Sequence, residues 1–208
     1  MVEGVMRSTQ IHQGPMNEPE LQRIARELDD ATTRARSLCA GLDDEQLGWS
    51  ARPGAWSIAE ILRHLEITTD VFLPGLDEAV TRARRRGRLA PGPYGLSAWG
   101  RLLVWYVEPP PPIRLPAPRP LRPTLQSSPR EALERFIESQ GRFATWLPRL
   151  EGIDLARASY VSPIARYIRM SLLAFLRVHT AHERRHLWQA DNVRRLLQAR
   201  GQAGPTLP

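Results

Sequence analysis

Lysine is absent from this chain: all 29 basic residues are arginines. With 22 acidic residues the formal net charge is +7. An arginine-only basic set reflects coding preference as readily as selection for polyanions, so the charge alone does not argue for nucleic acid. The densest basic run, Arg82 to Arg88 (RARRRGR), has no aromatic residues interleaved with its arginines, as a platform for stacked bases would want. It reads as the solvated end of a helix, where cations complement the helix dipole. No nucleic-acid partner is expected.

Cysteine occurs once, as Cys39. That excludes an internal disulfide and any cysteine-built metal cluster. It also points to a reducing, cytoplasmic setting. No apolar run approaches the roughly 20 residues of a membrane span. The opening stretch MVEGVMRSTQIHQG lacks the apolar core of a signal peptide. No membrane association is therefore expected. Hydrophobic content of 42% and charged content of 25% fit an ordinary globular domain.

Alternating apolar runs, the mark of half-buried strands, are also missing. What remains is helical periodicity. The first helix is expected at 19–40, with Leu21, Ile24, Ala25, Leu28, Ala31, Ala35 and Leu38 on one face, Asn17 as cap and Gly41 as stop. The second spans 57–85. Ser57 and Glu60 form a capping box, Ile58, Ile61, Leu62, Leu65 and Phe72 make its buried stripe, and Pro74-Gly75 is expected to interrupt it. The third spans 129–147, opening on Ser128, Pro129 and Glu131 as a second capping box, with Leu133, Phe136, Ile137, Phe143 and Leu147 as its apolar face. The fourth spans 171–198, with Leu172, Phe175, Leu176, Val193 and Leu197 as core positions.

Nine prolines lie between Pro109 and Pro129, which excludes regular helix there. The preceding SAWGRLLVWYVE is too apolar for a free linker, and Trp99 to Val107 reads as a short packed helix. The expected fold is all-α: an up-down four-helix bundle with a proline-rich strap between the second and third long helices. The expected organisation is a disordered N-terminal tail over 1–16, one bundle domain over 17–200 and a C-terminal tail over 201–208.

Histidine is scarce, with five in 208 residues, and its placement is uneven. His12 falls in the N-terminal tail. His179, His182 and His186 share an arc of about 60° on the fourth helix, in line with Leu172, Phe175 and Leu176. His64 occupies an equivalent inner place on the second helix. Buried imidazoles need partners for both nitrogens, and a shared metal ion satisfies one nitrogen of each. The stretch HERRH, residues 182 to 186, also fits the H-E-x-x-H pattern of zinc peptidases. That reading needs a further ligand downstream, and LWQADNVRRLLQARGQAGPTLP contains no histidine or glutamate. The third ligand must come from upstream, and His64 is available. Glu183 lies about 100° around the helix from His182 and is not expected to bind the ion.

The phrases WSIAEILRHLE, RPTLQSSPREALERF and HERRHLWQADNV, in this order, resemble the DinB-like superfamily, also called YfiT-like and described as metal-dependent hydrolases. The resemblance covers about residues 20 to 198. It implies a four-helix bundle with a three-histidine metal site, and the matching positions are His64, His182 and His186. His179 is not among the usual three and is a candidate for the surrounding pocket or for hydrogen bonding to the ligands. Trp56 and Ser57 match a tryptophan-serine pair with packing and capping roles. Glu60 matches as well, and the capping box already accounts for it. Arg185, Trp188 and Gln189 follow the family's last-helix pattern and are pocket candidates, as is Glu183.

A three-histidine site leaves a coordination position open, as catalytic sites do. Zinc is the first expectation, and imidazole also suits nickel, iron and copper. The resemblance implies two activities on a small-molecule substrate: hydrolysis, or transfer of a low-molecular-weight thiol cosubstrate. The alternatives are a bundle merely stapled by its metal around a bound ligand and, further off, a basic nucleic-acid-binding protein. A homodimer stays open.

Overall fold

A computed structural model describes residues 16–110, 112–113, 116–124 and 128–202. His12, most of the expected N-terminal tail and residues 203–208 lie outside them. Met16, assigned above to the tail, is buried in the core. The helices are α1 (Pro19–Cys39), α2 (Asp44–Gly48), α3 (Ile58–Arg85), α4 (Ala98–Val107), α5 (Glu131–Trp146) and α6 (Leu172–Gln202).

The four long helices α1, α3, α5 and α6 form the bundle. Both α1 and α3 pack on α5 and α6, so α1 faces α3, and α5 faces α6, across the diagonal. Ion pairs fix their senses. Arg177 binds Glu20 at 2.8 Å and Arg34 pairs with Asp191, so α1 and α6 run parallel. Arg142 binds Asp70 at 2.6 Å and Trp146 Nε1 donates to Asp77 at 3.2 Å, so α3 and α5 are also parallel. The ring contacts of Phe72 with Phe175 and of His64 with His186 set α3 antiparallel to α6. The four-helix bundle thus takes the order up, down, down, up. A parallel neighbouring pair needs a long crossover, and the strap between α3 and α5 is that crossover. Its α4 packs on α6, tied by Arg184 to Glu108 at 3.2 Å.

Every apolar position predicted on α1 is buried. Its cap differs from expectation. Asn17 does not cap with its side chain; the Glu151 carboxylate accepts from Asn17 N at 2.6 Å and Glu18 N at 3.2 Å. An acid at a helix N-terminus meets both the orphan donors and the dipole. At the other end Arg194 of α6 donates to the carbonyls of Ser37 (2.7 Å) and Ala40 (3.1 Å), and Gly41 turns the chain with φ 75°.

Ser57 and Glu60 form the expected capping box of α3. The expected break at Pro74-Gly75 does not occur, and α3 runs through it to Arg85. Tyr160, fully buried, stacks on Phe175, lies against Gly75 and donates to the Phe72 carbonyl at 3.0 Å. Tertiary contact therefore holds the helix across the position where proline removes a backbone donor. A Cβ on residue 75 would stand 3.0 Å from Tyr160 Oη and 3.1 Å from a ring carbon. Gly75→Ala is expected to lower stability by about 1–3 kcal/mol despite alanine's better helix propensity. Denaturant unfolding checks this, and an unchanged or raised midpoint would show that Tyr160 yields.

Two further elements differ from the sequence expectation. Asp43 and Gln46 make a capping box that starts α2. Ser159–Val161 and Arg169–Ser171 pair as a small antiparallel ladder; strands of three residues are too short to show alternation. On the third long helix, Ser128 Oγ accepts from Glu131 N at 3.4 Å, and the helix itself begins at Glu131.

The core divides into two apolar clusters. One gathers around Leu21, Leu28, Leu76, Phe143, Tyr160 and Phe175. The other gathers around Leu38, Ile58, Leu62, Leu65, Phe136 and Leu187. Buried polar side chains also occur inside the bundle, among them Gln140, His179 and Glu183 on α5 and α6.

Candidate metal centre

His64 lies in the second turn of α3, on the face that carries Ile61 and Leu65 inward. His182 and His186 are one turn apart on α6. One ring nitrogen from each of the three lies within 4.8 Å of the others. His64 and His186 are buried and His182 is partly so.

The tautomer of His64 follows from its surroundings. A carbonyl oxygen only accepts, so His64 Nδ1 carries a proton and donates it to Leu121 O at 2.6 Å. In the neutral ring this leaves a lone pair on Nε2, and Nε2 lies 3.4 Å from His182 Nε2. Leu121 belongs to a 3-10 turn of the strap, Arg119–Leu121. The proline-rich segment thereby orients a ring on α3. Trp56 adds a wall, its ring centroid 4.8 Å from that of His64 and 6.0 Å from that of His186.

Burial and mutual proximity keep these rings neutral. His182 is held well below the usual histidine range by desolvation, then by His186 and His64. His186 is pushed down to about 3, chiefly by desolvation, with His64 and Arg185 adding to it and Gln189 opposing. His64 is lowered by desolvation, against the Leu121 hydrogen bond. Neutral imidazole is the form that binds metal. His182 Nδ1 and His186 Nδ1 are buried without a hydrogen-bond partner, a cost that native interiors seldom leave unmet. Three neutral imidazoles on one centre, with a preset tautomer, fit a divalent ion.

Above the cluster opens a cavity of about 1040 Å³. Its walls come from the 51–56 segment, α3, Tyr106 of α4, the strap and α6. Arg185, Trp188 and Gln189 line it. His179, Glu183 and Glu60 do not. Helix geometry explains the first two. With His182 as zero, His186 lies at about +40°, Gln189 at about −20° and Arg185 at about −60°, whereas His179 lies at about +60° and Glu183 at about +100°. The latter pair turns toward α5. His179 stacks on Phe143 with centroids 4.6 Å apart, and Glu183 accepts from Gln140 Nε2 at 2.7 Å. Glu60 borders a smaller adjoining hollow and accepts from Ser57 N at 2.8 Å. Cys39 is buried with its thiol pushed up to about 11 by desolvation, and it takes no part.

Sequence reasoning did not find Arg52, Tyr106, Leu121, Arg122 and Asn192 as neighbours of the site. They come mostly from loops and the strap, where no periodicity marks a facing side.

The profile of the DinB superfamily matches residues 27–190. The chain belongs to the DinB superfamily. Among solved structures, YfiT from Bacillus subtilis superposes with a TM-score of 0.55 at 15% identity, covering 88% of this chain and 90% of that one. That protein is described as a probable metal-dependent hydrolase with an unusual four-helix bundle topology. At this identity the likeness shows the fold. No curated protein matches the chain. Across the 27–190 span of this DinB-superfamily chain, all three clustered histidines are included.

Proposed function

We propose that the chain is a metal-dependent enzyme acting on a small molecule, either by hydrolysis or by transfer of a low-molecular-weight thiol. Its metal ligands are His64, His182 and His186. The observation that carries this reading is their convergence at the base of a cavity, with the lone pair of His64 Nε2 turned toward His182. A divalent ion held there, zinc first, supplies Lewis acidity and favours deprotonation of a water or thiol nucleophile.

The chain's own groups do the rest. The Leu121 carbonyl holds the His64 Nδ1 proton and so fixes which nitrogen points inward. Gln189, Asn192 and Tyr106 offer polar contacts along the cavity wall, and Trp56 and Trp188 offer apolar ones. Glu183 cannot act as the base of a zinc peptidase, because it is engaged by Gln140 on the α5 side. The volume above the cluster favours a catalytic centre over a staple, since a structural ion needs no cavity beside it. The Arg82–Arg88 run lies near the far end of α3 from His64, and Arg84, Arg85, Arg86 and Arg88 are exposed; no nucleic-acid role is assigned to it.

Elemental analysis of untagged protein tests the centre. One divalent ion per chain is the expected result, removed by chelation together with turnover in a screen of hydrolysable esters, amides and thiol-plus-electrophile pairs. Protein that purifies without an ion and takes none up from zinc, nickel or iron would sink the proposal.

A further inference from the structure

Several arginines placed against the bundle have an acidic partner: Arg142 has Asp70, Arg149 has Asp77, and Arg184 has both Glu27 and Glu108. The three arginines of the cavity differ. Arg52, Arg122 and Arg185 come from three separate elements. Among the described residues none of them has a carboxylate within ion-pair distance. Arg122 Nε donates to the Ala117 carbonyl at 3.1 Å, and Arg185 Nη2 to the Ile113 carbonyl at 3.2 Å. These partners are neutral and leave the guanidinium charge uncompensated.

Among the described residues the lining contains no aspartate or glutamate. Glu60 lies in the adjoining hollow, which Arg52 also lines, and is taken by its capping box. Beside the histidines and the polar Gln189, Asn192 and Tyr106, much of the wall is apolar: Trp56, Trp188, Val193, Leu196 and the prolines of the strap. A cavity with three unpaired cations, no anion and aromatic walls has the chemistry of an anion receptor. Guanidinium groups bind carboxylate and phosphate oxygens through paired N–H donors.

We propose that this cavity binds a small organic anion, a carboxylate or phosphate carried on a flat apolar body, through Arg52, Arg122 and Arg185. The inference rests on the reading of the cavity as the substrate site of the metal centre. It adds the class of substrate. Arg185, on the same face of α6 as His182 and at about −60° from it, is the cation of the three closest in sequence to the ligands. It would hold the anionic group beside them. Arg52 and Arg122 are exposed and would close over it from the rim.

The test is calorimetric titration of chelator-treated protein with 2-naphthoate, 2-naphthyl phosphate and the neutral 2-naphthamide. Removing the ion keeps direct metal ligation out of the reading. At least one of the two anions is expected to bind ~10-fold or more tightly than the amide, in keeping with a charge-assisted bidentate contact. Preference for the carboxylate over the phosphate, or the reverse, identifies the oxyanion. Arg185→Gln is expected to remove most of that preference while leaving amide binding unchanged. Arg52→Gln with Arg122→Gln, at exposed positions that do not threaten folding, is expected to reduce it further. Equal binding of anions and amide, no binding of any probe, or a preference that survives all three substitutions would overturn the proposal and leave these arginines as a solvated rim. Metal content is measured on the untreated protein. An absent ion with a retained anion preference fails the metal reading alone, and a retained ion without that preference fails this one alone.

Discussion

His64→Ala is expected to abolish retention of the divalent ion. The loss in affinity should exceed roughly 100-fold, the upper end of the cost of removing an outer-sphere partner. In the proposed ligand set His64 is the one residue contributed by α3, and its Nε2 lone pair is preset by the Leu121 carbonyl. Without it, His182 and His186 are an isolated pair on one helix. Glu183→Gln is the contrasting variant. Glu183 is 1% exposed and bonded to Gln140 rather than aimed at the cluster. It should keep its ion within a few-fold of wild type while losing some stability, since a buried hydrogen-bonded carboxylate is altered. Elemental analysis and competition with a chromophoric chelator measure both, with circular dichroism as the check on folding. If Glu183→Gln loses the ion and His64→Ala keeps it, the ligand set is wrong.

The second large effect is on the metal-free protein, whose stability should fall as pH drops below about 6.5, the ordinary histidine value. The sign follows from proton counting. The folded chain holds His64, His182 and His186 at lowered pKa, His186 at about 3. Below about 6.5 the unfolded chain therefore binds more protons than the folded one, and stability rises with pH across that window. Protonation favours unfolding progressively from about 6.5 downward, and His186 stops contributing once pH passes below its folded value. Between pH 7 and pH 4 that histidine alone should contribute about 3 kcal/mol of destabilisation. Denaturant unfolding in chelator at the two pH values, for wild type and His186→Asn, isolates it, because the carboxylates common to both cancel. Parallel pH dependence in the two proteins would refute it. Bound metal should raise stability at both pH values without removing the slope, since a ligand of the folded state adds stability while the unfolded histidines still take up protons below about 6.5.

Both predictions start from residues that local pattern had already picked out. Helical periodicity acts over one or two turns. For that reason the four long segments, the Ser57 cap, the inward stripe of α1 and the shared face of His182 and His186 could be read from residues three and four apart. The same angular rule separated Glu183 from that face before any neighbour was known. The family phrases were also local, and they marked His64 for the site.

What the sequence could not carry is distance between segments. Nothing local says that α3 and α5 run parallel, or that the strap between them lays the Leu121 carbonyl on a histidine 57 residues earlier. Proline at position 74 argues locally for a break, and Tyr160, from a strand too short to recognise, outweighs it by packing on Gly75. The cap of α1 comes from Glu151 because the turn after α5 meets the start of α1 there in space. Arg52 and Arg122 stand in segments without periodicity, so no rule assigns them a facing side. Sequence alone determined which faces must be buried and which imidazoles they carry. Tertiary structure decided which faces meet, which nitrogen of His64 is free and which cations are left without an acid, because each of these depends on groups brought together only when the chain closes on itself.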